Sequence, residues 1–306
     1  MLRAMVLAAG HGTRLGDLSG ERPKPLLPVA DVPLIKYVLA LLAGHGIREI
    51  AINLHHLGEM IVAEVGDPAV RWSRETEILG TGGGVRRMAD WLSDGGREPF
   101  LIINGKLIVD VDLGELERRH RASGAVATMV VRDDPEAARW GAIDVDDAGR
   151  VVGPALVARL PEGPSCIIRQ GYRPALAAGE PIAALRYDGY FQEHSTPARY
   201  LEGNIAVLRG LARLRHPPGP LTGVDESAIL GRDARLLPPF RVGARAILGD
   251  GAVIGPDVVV GAGARVAAGA QLSRCVVWPD AEARGTITDA IVTRHGVHQV
   301  TAPAKE

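Results

Sequence analysis

This chain of 306 residues has little cysteine, almost no net charge and no long apolar segment near its start. Its two cysteines, Cys166 and Cys275, lie far apart without C-x-x-C spacing, which argues against a structural zinc site. The net charge of −1 gives no electrostatic reason to expect nucleic acid or an anionic membrane as a partner. Before the first glycines stands only the short run Ala4–Ala9, too short for a secretory signal or a membrane span, so we expect a cytoplasmic protein.

The first strand and the turn after it carry the strongest indication of function. Residues 5–15 read M-V-L-A-A-G-H-G-T-R-L, and Lys24 follows between two prolines. Gly10 and Gly12 allow positive φ and let main-chain N–H groups converge on a ligand. Arg14 can bind phosphate oxygens through its guanidinium, and Lys24 adds a second positive charge. The stretch therefore predicts a polyphosphate site, and so a nucleotide.

The spacing of this motif differs from those of the Walker loop and the dinucleotide fingerprint, since position 15 is Leu where the latter needs Gly. The order L-A-A-G-x-G-T-R-L, followed by P-K-P, resembles the signature of the sugar-1-phosphate nucleotidyltransferases. That resemblance implies that Arg14 and Lys24 act on the phosphates during catalysis. It also implies nucleotide contacts from the main chain or hydroxyl groups of Leu7, Ala8, Ala9, Gly10, Gly12 and Thr13.

Residues 1 to about 210 alternate β-branched runs with amphipathic stretches. We predict strands at Met5–Ala9, Glu49–Asn53, Phe100–Asn104 and Ala127–Arg132, and helices at Leu34–Gly44, Met60–Glu64, Gly84–Leu92 and Leu113–Ala122. This order favours an α/β fold with a Rossmann-like, mostly parallel sheet of the nucleotidyltransferase type. Ligands of such sheets bind beyond the carboxyl ends of the strands.

The last third of the chain has a six-residue step of aliphatic residues, at Val242, Leu248, Ile254, Val260, Val266 and Leu272. Glycine follows the first four of them, and Ala267 takes the fifth place. A triangular coil with three short strands per turn produces this step, which resembles the hexapeptide repeat of left-handed parallel β-helices. We expect a nucleotidyltransferase domain at 1–215, a proline-rich linker at 216–235 and a β-helix domain at 236–306. Unpaired strands at the coil ends favour a homo-oligomer.

A second glycine-rich block, residues 75–83, has the pattern E-x-E-x-L-G-T-x-G. It looks like the base-recognition loop of mannose-1-phosphate guanylyltransferases, and its G-G-G form also looks like that of uridylyltransferases acting on amino-sugar 1-phosphates. The resemblance implies that Glu75, Gly80 and Thr81 contact the nucleotide. GTP and mannose 1-phosphate are the substrates it favours.

Two later blocks depart from the family pattern where Mg²⁺ is expected. The strand that ends at Asn104 continues into Gly105 and Lys106, whereas the family has Asn-Gly-Asp with a metal-binding Asp. The resemblance places Asn104 at the nucleotide and makes Glu193, where the second metal-binding Asp is expected, the predicted Mg²⁺ ligand. An ammonium cannot ligate a cation. Three interpretations stay open: Lys106 supplies the metal's charge, the metal is held otherwise, or the site has lost turnover.

The family's E-K-P segment, which holds the sugar phosphate, is missing after Arg150. The activity implied by the resemblance is attack by a sugar 1-phosphate oxygen on the α-phosphorus of a nucleoside triphosphate, with release of pyrophosphate. The competing hypothesis is a catalytically weakened paralogue that binds a nucleotide sugar and regulates an active partner. Lys106, Glu193 and the short sugar region favour the regulator, while Arg14 and Lys24 favour the enzyme.

Overall fold

The computed structural model describes residues 2–10, 12, 15–16, 18–133 and 160–301. The chain divides into two compact units. The first unit comprises residues 1–11, 41–105 and 110–189, and the second comprises 12–40, 106–109 and 190–306. Each unit is therefore assembled from separate stretches of the sequence, and our expected division at about residue 215 stays a prediction.

Helices and strands alternate along most of the described chain up to residue 208. The helices are α1 (Leu18–Glu21), α2 (Leu34–Gly44), α3 (Gly58–Val65), α4 (Gly80–Leu92), α5 (Leu113–Ser123), α6 (Arg173–Ala177) and α7 (Pro197–Leu208). The strands are β1 (Arg3–Leu7), β2 (Pro28–Val29), β3 (Val32–Pro33), β4 (Ile50–Leu54), β5 (Arg71–Arg74), β6 (Phe100–Asn104), β7 (Leu107–Val109), β8 (Met129–Val131), β9 (Ala184–Arg186) and β10 (Phe191–Glu193). In the part of the chain that the structure describes, no helix combines the length and apolarity needed to cross a membrane.

The first unit is built on a parallel sheet with the strand order β5-β4-β1-β6. Its central strands β1 and β4 are mostly apolar and mostly buried, as expected for a sheet covered on both faces. Helix α4 packs Val85, Ala89 and Leu92 against Met5 and Ala51 of these strands. The predicted Rossmann-like parallel sheet is confirmed.

Helix α4 begins earlier than predicted, at Gly80 rather than Gly84. Glycine lowers helix propensity by about 1 kcal/mol per residue, so the sequence favours a later start. Tertiary packing overrides this preference. A Cβ at Gly80 would come within 2.5 Å of the Ser165 carbonyl oxygen, and one at Gly82 would come within 2.5 Å of the Ser165 hydroxyl.

The second unit contains the antiparallel pairs β2 with β3 and β7 with β10. Its main part is a parallel coil whose strands are β11 (Gly223–Val224), β12 (Ile229–Leu230), β13 (Arg235–Leu236), β14 (Phe240–Val242), β15 (Ile247–Leu248), β16 (Val253–Ile254), β17 (Val258–Val260), β18 (Arg265–Val266), β19 (Gln271–Val277), β20 (Glu282–Ala283) and β21 (Thr286–Thr293). A last strand, β22 (Gly296–Gln299), pairs antiparallel with β21. Strand pairing in the coil begins at Gly223, which lies inside the expected linker.

The coil repeats every three hexapeptides. Gly223 pairs with Arg241 and Arg241 with Val259, so each of these turns takes eighteen residues. Val258 then pairs with Cys275 and Cys275 with Ala290, which shortens the later turns to seventeen and fifteen residues. This coil is consistent with the predicted left-handed β-helix.

The six aliphatic positions found in the sequence are all buried, at most 3% exposed. A second buried row four residues further on, which the sequence reasoning missed, consists of Ala246, Ala252, Val258, Ala264 and Ala270. Four of its five members are alanines, whose methyl groups fit the narrow interior of the coil.

Candidate active site

Polar groups gather at the carboxyl ends of the parallel strands in the first unit. Leu7 at the end of β1 pairs with Asn104 at the end of β6, and Asn53 near the end of β4 pairs with Ser73 of β5. Glu75 directly follows β5. In open parallel sheets this edge is where ligands bind.

Asn53 connects two of the predicted nucleotide-binding segments. Its side-chain oxygen accepts a hydrogen bond from the main-chain N–H of Ala8 at 2.7 Å. Its amide nitrogen donates to Glu75 Oε1 at 2.8 Å, and Glu75 Oε2 accepts from the N–H of Leu79 at 3.0 Å. Glu75 is 6% exposed. Both of its carboxylate oxygens thus have partners inside the protein, and they tie the end of β1 to the start of the glycine-rich loop.

The glycine-rich loop is also attached to the segment around Ser165. Gly82 donates its N–H to the Ser165 carbonyl at 2.9 Å, and Ser165 donates its own to the Leu79 carbonyl at 2.8 Å. The Thr81 hydroxyl accepts from the N–H of Ile167 at 3.1 Å. The threonine that we assigned to the nucleotide therefore also holds this loop in place.

Gly84 explains why the glycine run extends so far into α4. A Cβ at this position would lie 2.9 Å from both Asn53 Nδ2 and Glu75 Oε1. Real Cβ atoms essentially never approach polar atoms so closely. The run therefore lets α4 approach the Asn53–Glu75 pair.

In the second unit, Gly12 and Lys24 lie together. Gly12 has φ +79°, and a Cβ there would come within 3.3 Å of Lys24 Cε. Lys24 begins a short 3₁₀ turn after Pro23 and is only 7% exposed. Lysine is rarely buried to this extent unless its ammonium has a partner.

Lys106 and Glu193 form an ion pair in the second unit. Lys106 precedes β7, and Glu193 ends β10 opposite Leu107. The Lys106 ammonium donates a hydrogen bond to Glu193 Oε1. Both side chains are 26% exposed, so the pair is sheltered but within reach of a ligand. Glu193, our predicted metal ligand, already has a cationic partner.

Residue 194, directly after Glu193, is a fully buried histidine. Burial lowers the pKa of His194 to about 3, and it outweighs the opposing effects of the Lys106 main chain and the Glu193 charge. His194 is therefore neutral at physiological pH, and the net charge of this cluster is set by Lys106 and Glu193.

The other predicted site residues fall into two groups. Ala8 and Ala9 are buried, Leu7 and Gly80 are partly exposed, and Gly10 and Asn104 are exposed. Thr13, Arg14 and the expected sugar region up to residue 159 lie outside the described residues. Sequence reasoning missed Asn53 and Ser165. Asn53 could have been found as a polar residue near the end of a buried strand. No feature of the sequence indicates Ser165.

A family model for nucleotidyl transferases matches residues 3–165. Mannose-1-phosphate guanylyltransferase 1 of Arabidopsis thaliana is 27% identical over 287 residues, which cover 82% of this chain and 79% of the relative. Mannose-1-phosphate guanylyltransferase of Mycobacterium tuberculosis is 28% identical over 284 residues, covering 81% and 77%.

Among solved structures, HddC from Yersinia pseudotuberculosis has a similar fold, with a TM-score of 0.56 and 20% sequence identity. The likeness covers 67% of this chain and 98% of that one. The family match spans more than half of the 306 residues and includes the glycine-rich turn, the Asn53–Glu75 network and Asn104. The chain therefore belongs to the nucleotidyl transferase family of enzymes.

Proposed function

We propose that this chain transfers a nucleotidyl group from a nucleoside triphosphate to a sugar 1-phosphate, with GTP and mannose 1-phosphate as its substrates. The observation that carries the proposal is the hydrogen-bonded connection of the E-x-E-x-L-G-T-x-G loop to the end of β1 through Asn53 and Glu75. Relatives that span about four fifths of the chain carry the name mannose-1-phosphate guanylyltransferase, which supports the choice of substrates.

In the proposed reaction, an oxygen of the sugar 1-phosphate attacks the α-phosphorus of the triphosphate. A new P–O bond forms, and the bond between the α-phosphorus and the bridging oxygen breaks. Pyrophosphate leaves with the electron pair, and no proton transfer is needed. The protein's task is to position two anions and stabilise the developing charge. We assign phosphate binding to Lys24 and, from the motif alone, to Arg14 and Thr13.

The base contacts in this proposal come from the first unit. Asn104 presents an exposed polar side chain at the carboxyl edge of the sheet, and Gly80 and Thr81 start the helix that the base loop leads into. Glu75 shapes the loop from inside. Its carboxylate lies too deep, and is too fully hydrogen-bonded, to be the main group that reads the base.

Enzymes of this family generally use divalent metal ions. The residues here do not fit a cation held by protein side chains, because Lys106 takes the usual carboxylate position and pairs with Glu193. Among the described residues there is no cluster of three or more His, Cys, Asp or Glu side chains suited to a metal. We therefore assign Mg²⁺, which prefers oxygen ligands, to the phosphates of the nucleotide.

The experiment that tests this function is an assay of pyrophosphate release with each nucleoside triphosphate and a panel of sugar 1-phosphates. The proposal expects release with GTP and mannose 1-phosphate, at a rate well above that of the other pairs. Equal or faster release with UTP and an amino-sugar 1-phosphate would contradict the choice of substrates and keep the reaction type.

The Lys106–Glu193 pair is the observation that favours the second candidate, a regulator that binds a nucleotide sugar without turning it over. The discriminating result is tight binding of a nucleotide sugar with no pyrophosphate release from any substrate pair. We also propose that copies of the chain associate through the β-helix domain, where Ile229 and Leu230 of the first coil are exposed. A cytoplasmic location stays part of the proposal.

A further inference from the structure

Lysine is rare in this chain. Its 35 basic residues include only Lys24, Lys36, Lys106 and Lys305 as lysines, and the rest are arginines. Arginine forms surface ion pairs in both units, for example Arg97 with Asp94 and Arg232 with Asp250. Because lysine is so rare, the ammonium of Lys106, directly before β7, is unusual among the positive charges of this chain.

An ammonium differs from a guanidinium in its hydrogen-bonding geometry, and the difference matters at position 106. The guanidinium is planar and binds a carboxylate with two parallel hydrogen bonds, whereas the ammonium is a compact point charge with three donors. When one N–H of Lys106 binds Glu193, two donors remain for phosphate oxygens. The Lys106 ammonium can thus bind an anion on one side, while Glu193 on the other side holds the ammonium in position.

Glu193 is poorly suited to hold a divalent cation in this arrangement. Its carboxylate already forms an ion pair with Lys106, and the neighbouring His194 is fully buried. The three-residue strands β7 and β10 fix the pair, because Glu193 lies opposite Leu107 and beside Lys106. A cation placed at Glu193 would also be repelled by the ammonium.

We propose that the Lys106 ammonium, positioned by Glu193, supplies the positive charge at the transferring phosphate that a protein-bound divalent cation supplies in metal-dependent nucleotidyltransferases. This inference rests on the proposed function. The bonds that form and break are those described above, and Lys106 keeps its proton throughout. Lys106 is then a catalytic residue, and Glu193 is a positioning residue.

The first test is metal binding by the full chain without nucleotide, measured by titration with Mn²⁺ and electron paramagnetic resonance of the free ion. We expect no stoichiometric site in the wild type or in Lys106→Gln. Lys106→Asp brings a second carboxylate beside Glu193 and should create one site, which the further change Glu193→Gln should remove. A wild-type site that Glu193→Gln abolishes would overturn the proposal, as would the absence of a new site in Lys106→Asp.

The second test is kinetic. Lys106→Gln should lower kcat about 100-fold or more, with little change in the KM for the nucleotide, since the charge acts on the transition state. Lys36→Gln removes the same charge from α2 and serves as the matched control, with an unchanged rate. A wild-type rate in Lys106→Gln would overturn the proposal. If the wild type itself releases no pyrophosphate, the proposed function fails, while the Mn²⁺ titration still reports on the pair independently.

Discussion

Asp31 is a partly buried carboxylate that connects the β2–β3 turn to the coil within the second unit. Its Oδ1 accepts a hydrogen bond from the N–H of Ala262 at 2.8 Å. Burial raises the pKa of Asp31 from 3.8 to about 6, although the Ala262 N–H and the charge of Arg241 act in the opposite direction. The folded protein therefore binds a proton at Asp31 more readily than the unfolded chain does.

This raised pKa predicts a pH-dependent stability. The stabilisation that comes from proton binding at Asp31 is fully present in the free energy of unfolding below about pH 4. It is lost as the pH rises through about 6. Asp31→Asn keeps an oxygen for Ala262 and tolerates the left-handed backbone at φ +66°. We expect the variant to gain roughly 2 kcal/mol of unfolding free energy relative to the wild type between pH 4 and pH 7, measured with urea.

Asp233→Asn is the matched control for this prediction, because Asp233 also has a left-handed backbone, at φ +57°, and is exposed. This exposed position separates the effect of burial from the effect of replacing Asp by Asn at a left-handed backbone. A difference between Asp31→Asn and the wild type that stays the same at both pH values would show that the Asp31 carboxylate is not destabilised by burial.

At the residue scale, the sequence predicted which residues belong to the candidate site better than it predicted which of them contact each other. It located Lys106 and Glu193 as departures from the family pattern, but it did not place them together. They are 87 residues apart, and their contact depends on two three-residue strands that carry no clear sequence signal. The Asn53–Glu75 contact could not be predicted from the sequence either, because it depends on the register between the neighbouring parallel strands β4 and β5.

At the element scale, helix α7 packs against β2 and against strands β19 and β21 of the coil. Tyr200 on this helix is fully buried, and its hydroxyl donates to the Pro28 carbonyl and accepts from the Trp278 indole N–H at 3.1 Å. Its ring meets that of Trp278 edge to face at a centroid distance of 6.4 Å. The Tyr200 side chain therefore connects β2, α7 and the coil.

Tyr200→Phe should destabilise this unit by about 1–3 kcal/mol, because it leaves the Pro28 carbonyl and the Trp278 N–H without this partner in the interior. Denaturant-induced unfolding, followed by tryptophan fluorescence, measures the change. Tyr187→Phe is a suitable control, since the Tyr187 hydroxyl accepts one hydrogen bond from the partly buried N–H of Asp110 at 3.1 Å. If the two variants lose the same stability, the buried Tyr200 hydroxyl has no special role.

Helix α4 offers a test of the base loop. Gly84→Ala places a methyl group against Asn53 and Glu75, so it should push the pair apart and loosen the loop that they hold. We expect nucleotide affinity, measured by calorimetry, to fall about tenfold, with the chain still folded. Gly219→Ala is the control, because a Cβ there meets no atom within 4 Å. Unchanged affinity in Gly84→Ala would separate the Asn53–Glu75 network from nucleotide binding.

At the scale of the whole molecule, local periodicity predicted the two architectures. The six-residue step was sufficient for the coil because every in-phase residue is buried by the turns above and below it. The assembly of each unit from separate stretches could not be predicted, since residues 12–40 and 106–109 join the second unit through non-local contacts. Their sequences resemble the rest of the α/β region.

We propose that this chain is an active nucleotidyltransferase in which Lys24 binds the phosphates of the nucleotide. The most direct measurement is mass-spectrometric detection of the nucleotide sugar formed from GTP and mannose 1-phosphate, with pyrophosphate quantified in the same sample. We predict equimolar products from the wild type and a loss of at least about 100-fold in rate for Lys24→Met, which keeps the buried apolar stem and removes the charge. Binding of GDP-mannose without any product, or a wild-type rate in Lys24→Met, would contradict the account.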